Sequence, residues 1–188
     1  MKLDAVQQAA QEQFARRSHR YGRGHILENV EDVRAAIEPL QLAPGSRVLD
    51  VATGAGHTGL FLASLGHDVT LTDIAAPMLE RATEAATRRG LKVQTRQHPA
   101  EQFPYADDSF DLVTCRVAPH HFSSPESFIR ELPGCSNGAD ISCSLTAASR
   151  TTNPKRRNGC TRWRNFAIRA ITAFSPRALG AGSAKAPV

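Results

Sequence analysis

No apolar run in this chain approaches the roughly 18 residues that cross a bilayer, so nothing in it reads as a membrane span. The opening residues, Met1-Lys2-Leu3-Asp4, lead into a polar, glutamine-rich stretch instead of the apolar core of a secretory signal, and the expected compartment is the cytoplasm. None of the four cysteines forms a Cys-x-x-Cys pair, the spacing that a zinc site or a redox motif would need, and no metal site is expected. Cys115 lies in an apolar run and reads as a small buried hydrophobe.

Acidic residues are nearly missing from one part of the chain. Residues 133–188 hold 1 Asp/Glu against 9 Lys/Arg, whereas residues 1–132 hold 17 against 14, so the formal charge of +5 belongs to the tail. Its basic residues have few interleaved aromatics, Trp163 and Phe166 among them, so contact with nucleic acid would be salt-sensitive and sequence-blind, and no specific nucleic-acid partner is expected. At 188 residues the chain has the size of a single domain and can bury a substantial core.

What is present is organised around Val48-Leu49-Asp50-Val51-Ala52-Thr53-Gly54-Ala55-Gly56-His57-Thr58-Gly59. β-prone apolar residues carry an acid to a strand end, glycines let the backbone turn and approach a ligand, and Leu60-Phe61-Leu62-Ala63 resumes the apolar pattern. Strand, glycine turn, helix is an arrangement that aims unpaired N–H groups at a cofactor. Gly54, Gly56 and Gly59 also satisfy the G-x-G-x-x-G pattern of dinucleotide-binding turns, so the glycines alone leave the cofactor open. Asp73 ends the next apolar run, where a carboxylate can accept hydrogen bonds from both hydroxyls of a ribose, each contributing about 1.5–3 kcal/mol.

Elements alternate along the chain. Residues 2–17 read as a polar helix with Leu3, Val6, Ala10 and Phe14 on one stripe, and a second helix carries Ile26, Val30, Val33 and Ile37 until Pro39 and Pro44-Gly45 end it. Strands are expected at residues 48–51, 68–73, 92–96 and 111–115. A helix runs from Pro77 to Arg89 with Gly90 as its stop, and another opens at Pro125 behind a Ser124 cap, with Phe128, Ile129 and Leu132 inward. Such alternation implies a parallel sheet covered on both faces, with ligand sites at the carboxyl ends of its strands.

The acid, the three residues after it and Gly54-Ala55-Gly56 resemble motif I of the class I S-adenosylmethionine (SAM)-dependent methyltransferases. The segment Ala100-Glu101-Gln102-Phe103-Pro104-Tyr105, continuing to Ser109-Phe110-Asp111, is similar to the loop and fourth strand of the methyltransferases that include the ubiquinone and menaquinone C-methyltransferases. The resemblance spans about residues 1–132. It implies a Rossmann-like α/β fold, SAM as cofactor and a small-molecule methyl acceptor. The cofactor-binding residues it implies are Asp50, Ala52, Gly54, Gly56, Asp73, Ile74, Met78, Ala100, Glu101 and Arg116. Pro99 stands where the family places an adenine-binding acid, which predicts a weaker hold on the cofactor. His120 and His121 follow the fourth strand and are the candidate bases, although methyl transfer from a sulfonium needs mainly alignment. An NAD-dependent oxidoreductase is the alternative that the glycines and Asp73 allow, but dinucleotide dehydrogenases have no counterpart to residues 100–113.

Past Leu132 the resemblance ends. Where family members read approximately Arg-Val-Leu-Lys-Pro-Gly-Gly, this chain reads Pro133-Gly134-Cys135-Ser136-Asn137-Gly138-Ala139. Codons for those residues, read two nucleotides later, can spell R-V-L-K-R-G-G. Codons for residues 153–175, read in the same frame, can spell P-E-A-E-E-W-L-H-A-V-E-K-L-R-D-P-S-H-H-R-V-F-S. The expectation is therefore an incomplete methyltransferase domain at residues 1–132, a sheet truncated after its fourth or fifth strand, and a basic, out-of-frame, largely disordered tail at 133–188. Residues 141–145 offer a substitute strand beside the fourth. A catalytically defective SAM-binding product is the functional reading that follows from a shifted frame.

Overall fold

The computed structural model describes residues 2–22, 24–106 and 109–131, together with the backbone of two later strands, 145–150 and 163–165. Helix α1 (Ala5–Arg17) begins where Asp4 Oδ1 accepts the Gln7 N–H at 2.8 Å and Gln7 Oε1 accepts the Asp4 N–H at 3.1 Å, a reciprocal cap. Arg16 and Arg17 in its last turn suit the helix dipole. The expected apolar stripe is only partly used: Val6 is 52% exposed, and the residue that α1 buries is Gln7.

The single helix expected from Ile26 to Ile37 is broken. A 3₁₀ turn spans Ile26–Glu28, Asn29 Oδ1 then accepts the Glu31 N–H at 3.0 Å, and α2 runs only from Glu31 to Ile37. Asparagine offers the backbone a local partner that competes with continued helix, so the periodic spacing of Ile26 and Val30 does not become one face. Val33 and Ile37 are buried, whereas Ile26 is 82% exposed.

Strands β1 (Arg47–Val51), β2 (Asp68–Asp73), β3 (Gln94–Gln97) and β4 (Leu112–Arg116) alternate with α3 (His57–Ser64) and α4 (Ala76–Arg88), and α5 (Pro125–Glu131) follows β4. The four strands pair in parallel in the order β3-β2-β1-β4. Successive side chains point to opposite faces of a strand. Val48, Val69, Leu71 and Leu112 thus meet α2, α3 and α4 on one face. Leu49, Val51, Val113 and Cys115 meet Phe128 of α5 and Phe110 on the other. Gly90, at φ 66, closes α4 with its N–H on the Thr87 carbonyl, and Ser124 Oγ accepts the Ser127 N–H at the start of α5.

Three strand expectations need adjustment. β3 starts two residues later than expected, is exposed along its whole length and carries polar residues, as suits a sheet edge. β4 runs one residue beyond Cys115 to include Arg116. At the other edge of β4 the substitute strand forms, but as β5 (Leu145–Arg150) and antiparallel, with β6 (Trp163–Asn165) antiparallel beyond it. Ladder hydrogen bonds use backbone groups that every residue except proline carries, so the segment that pairs at an open edge is poorly marked by side chains. The remaining residues of 133–188, Leu132, Asp107 and Asp108 lie outside the described residues.

Candidate cofactor site

The loop after β1 is built by two buried carboxylates. Asp50, 1% exposed, accepts from Thr53 Oγ1 at 2.5 Å, from Thr114 Oγ1 of β4 at 2.7 Å and from the Gly59 N–H of α3 at 3.0 Å. It therefore ties the loop, the neighbouring strand and the following helix to one point. Burial pushes its pKa up against these hydrogen bonds. Asp73 accepts the Gly54 N–H on one oxygen and the Ala75 N–H on the other, each at 2.9 Å, and burial first of all raises its pKa to about 6. A carboxylate has about four lone-pair sites, so each oxygen retains capacity for one more donor.

Between these acids the chain turns sharply. Ala52 (φ 52), Gly54 (φ 56) and Gly56 (φ 86) all take left-handed conformations, and Gly56 caps α3. A Cβ built on Gly54 meets nothing within 4 Å, because that position faces open space. One built on Gly56 meets Ala82 Cβ at 3.0 Å and Leu60 Cγ and Cδ1 at 3.3 Å, so that glycine serves close packing against α4. Gly59 is tighter still: its Cβ would stand 2.2 Å from Leu71 Cδ2 and 3.1 Å from Asp50 Oδ2.

A cavity of about 290 Å³ lies over the loop at the carboxyl ends of β1, β2 and β4. Asp50, Ala52, Gly54, Asp73, Ile74 and Met78 line it from the first half of the sheet, and Ala100, Glu101, Arg116, His120 and His121 from the second. Of the residues expected at the cofactor, Gly56 alone is not in this wall, for the packing reason given above. The roof comes from the N-terminal segment through Gln7, Ala10, Phe14, Tyr21 and His25.

Several wall residues have partners that the sequence did not disclose. The Glu101 carboxylate accepts from Gln7 Nε2 at 3.0 Å on one side and from the Ser123 N–H at 2.8 Å and Ser123 Oγ at 3.0 Å on the other, joining α1 to the start of α5. Arg116 is turned toward the N-terminal segment. Its guanidinium donates to both Asp32 oxygens (2.9 and 2.8 Å) and to the carbonyls of Leu27 (2.8 Å) and Asn29 (2.7 Å). Four contacts of that kind make it an anchor for residues 27–32, with one of its five N–H donors left over.

Five of the seven histidines border the cavity: His25, His57, His98, His120 and His121. The rings of His120 and His121 lie 3.8 Å apart, and His121 meets Phe14 edge-on at 4.9 Å. Burial, then the neighbouring His120, lowers the His121 pKa, which keeps that imidazole neutral near pH 7. His98 is nearly buried, with Nδ1 2.8 Å from the Pro99 carbonyl and Nε2 3.3 Å from the Tyr105 hydroxyl. Among the described residues no cluster of three or more His, Cys, Asp or Glu is arranged to hold a metal ion. Gln7, Thr114, His57, His98 and Asp32 were not singled out from the sequence. Thr114 had a signal in the strand alternation, but its pairing opposite Asp50 depends on register, which one sequence does not carry.

A parallel sheet with helices on both faces, a glycine turn leaving its first strand and a buried acid ending the second make a Rossmann-like fold, and its likeness to solved structures makes it the class I SAM-dependent methyltransferase form. The comparisons agree. Residues 48–136 match the family described as a methyltransferase domain. The chain is 34% identical over 120 residues to the uncharacterized methyltransferase YcgJ of Bacillus subtilis, covering 63% of this chain and 47% of that one. The YcgJ crystal structure superposes with a TM-score of 0.52 over 55% of this chain and 45% of that one, at 35% identity. A SAM-dependent methyltransferase from Aquifex aeolicus superposes with a TM-score of 0.56 at 25% identity, covering 65% of this chain and 66% of that one. The demethylmenaquinone methyltransferase of Thermus thermophilus is 38% identical over 101 residues, covering 53% and 46%. The chain spans about half the length of the curated relatives it matches.

The cavity suits SAM. Its floor leaves room over Gly54 where a side chain would intrude, Asp73 has lone pairs in reserve, and Ile74 and Met78 supply apolar flanks.

Proposed function

We propose that this chain binds SAM in the cavity over the glycine loop and transfers its methyl group to a small-molecule acceptor, acting in the cytoplasm. The observation that carries the reading is the pairing of Asp73 with the Gly54 N–H: the acid that would take the ribose hydroxyls also fixes the loop on which the cofactor rests. Asp50, Ala52 and Gly54 would face the methionine end, Ile74 and Met78 the adenine, and Ala100 and Glu101 its far edge. Bound SAM supplies a methyl group activated by a positive sulfur.

The chain's own contribution is alignment and proton handling. Tyr21, Phe14 and His121 crowd one side of the cavity, and neutral His121 can accept a proton from an acceptor hydroxyl or carbon acid. Arg116 anchors residues 27–32, which follow the roof residues in the chain, through Asp32 and the carbonyls of Leu27 and Asn29. No helix among the described residues is long and apolar enough to cross a membrane.

Residues 1–132 make up the methyltransferase part in this reading, and residues 133–188 are read from a shifted frame. The change of charge and the two restored strings support that division, and the family match ends at residue 136. Sequencing the coding DNA tests it: the codons of residues 133–139 must permit R-V-L-K-R-G-G, and codons that forbid it refute the shift. For the activity, the chain is incubated with methyl-labelled SAM and a panel of phenols and quinols. Product carrying the label, lost in His121→Ala with SAM binding retained, is the expected result. SAM binding without labelled product from any acceptor contradicts turnover by this form and favours the defective product.

A further inference from the structure

A second cavity, of about 170 Å³, adjoins the cofactor cavity, and Tyr21, Ala55 and His57 belong to both walls. Tyr21 and His57 of this shared wall are linked by a stack of rings: His25 lies 4.8 Å from Tyr21 and 6.1 Å from His57, and His57 Nε2 is 3.2 Å from the Tyr21 carbonyl oxygen. Residues 1–132 carry more acids than bases, yet this pocket draws three arginines from α4 and its end, Arg81, Arg88 and Arg89. Two glutamates, Glu28 and Glu84, oppose them. Glu28 accepts the Gly24 N–H at 2.7 Å and Glu84 faces Arg88 at 3.8 Å, so the three arginines exceed the two carboxylates by one charge.

Arg81 and Arg89 are left without an ion pair or hydrogen bond among the described residues. For Arg89 solvent answers the need, and at a helix C-terminus its charge is favourable in itself. Arg81 is different. It is half-buried beside Gly22, its Nη1 3.9 Å from where a Cβ on that glycine would stand, and a guanidinium offers five donors in a fixed fork. Burial first of all lowers the His57 pKa, and Glu28 and Arg89 add smaller, opposing electrostatic effects on that shared wall residue.

We propose that this second cavity is a binding site for a small oxyanion, a carboxylate or phosphate group, received by Arg81 with Arg89 and sharing the wall of Tyr21 and His57 with the cofactor cavity. The proposal stands independently of methyl transfer.

Inorganic phosphate is the probe, titrated calorimetrically into the full chain at constant ionic strength, with and without saturating SAM. Saturable binding is expected in both cases. Arg81→Met should weaken it by about tenfold or more, the loss of one charge-assisted contact, with Arg81→Lys recovering part of it. SAM affinity should be the same in all three proteins, which also shows that they are folded. Equal phosphate binding by wild type and Arg81→Met, or none by wild type, overturns the proposal. Displacement of phosphate by SAM also overturns it, since the pocket would then belong to the cofactor. Failure of SAM to bind while phosphate does would count against the methyltransferase reading alone.

Discussion

Replacing Gly59 by alanine should cost stability although it removes a glycine from a helix. In isolation the exchange favours folding by about 1 kcal/mol. Here the new Cβ would lie 2.2 Å from Leu71 Cδ2, 3.1 Å from Asp50 Oδ2 and 3.3 Å from Asp50 Cβ. Leu71 is fully buried among Val48, Val69 and Leu60, so its side chain has nowhere to retreat without moving neighbours. Overpacking of this kind costs about 1–3 kcal/mol, and displacing α3 from Asp50 loses part of a charge-assisted hydrogen bond of about 1.5–3 kcal/mol. The net expectation is a loss of about 2–3 kcal/mol, read as a lower urea midpoint at unchanged slope. Gly54→Ala is the matched control. Its cost comes from straining a left-handed residue, and its Cβ enters the open cavity, so it should reduce SAM affinity far more than Gly59→Ala does at comparable stability cost. A Gly59→Ala protein as stable as wild type would refute the close packing of α3 on Asp50.

Three further outcomes are expected. Ala52 holds φ 52, a conformation that costs an L-residue about 1–2 kcal/mol, so Ala52→Gly should gain roughly 0.5–1 kcal/mol after its chain-entropy penalty, measured by thermal unfolding; a loss of stability would contradict the strain. Asp73 rises from 3.8 to about 6 on folding, so it favours the folded state fully below pH 3.8 and loses that contribution as pH rises through about 6. Unliganded protein should therefore gain stability from this group on acidification from pH 7, with Asp73→Asn flattening the profile. SAM, which needs the ionised acceptor, should bind more weakly below pH 6, and a pH-independent affinity would count against Asp73 as the ribose acceptor. Arg116→Ala removes two bonds to Asp32 and two to backbone carbonyls, at a cost of about 2–3 kcal/mol, and should speed amide exchange across residues 27–32; unchanged exchange there would show that this segment is held otherwise.

The parts of the site legible in the sequence were those fixed by local backbone demands. The glycine turn, the acid ending β2 and the proline-opened helices each follow from a few consecutive residues, and the cavity gathers all but one of the positions named from them. Gly56 stands outside the cavity wall because its close neighbour is Ala82 across the fold, a contact that consecutive residues do not announce. The resemblance implies Arg116 as a cofactor residue, and only the path of residues 27–32 reveals that four of its five donors are engaged there. The break at Asn29 was hidden by an intact apolar period on both sides of it. Strand β5 was anticipated as a need of the β4 edge, while its exact segment and direction were not, since ladder bonding is blind to side chains.

The central claim is that the cavity over Gly54 is a SAM site with Asp73 at its centre. Calorimetric titration of the purified chain with SAM, beside NADH and the Asp73→Ala variant, tests it most directly. Saturable binding of SAM, none of NADH, and loss of SAM binding in folded Asp73→Ala is the predicted result. A folded wild-type chain that ignores SAM, or that takes NADH in its place, would contradict the account.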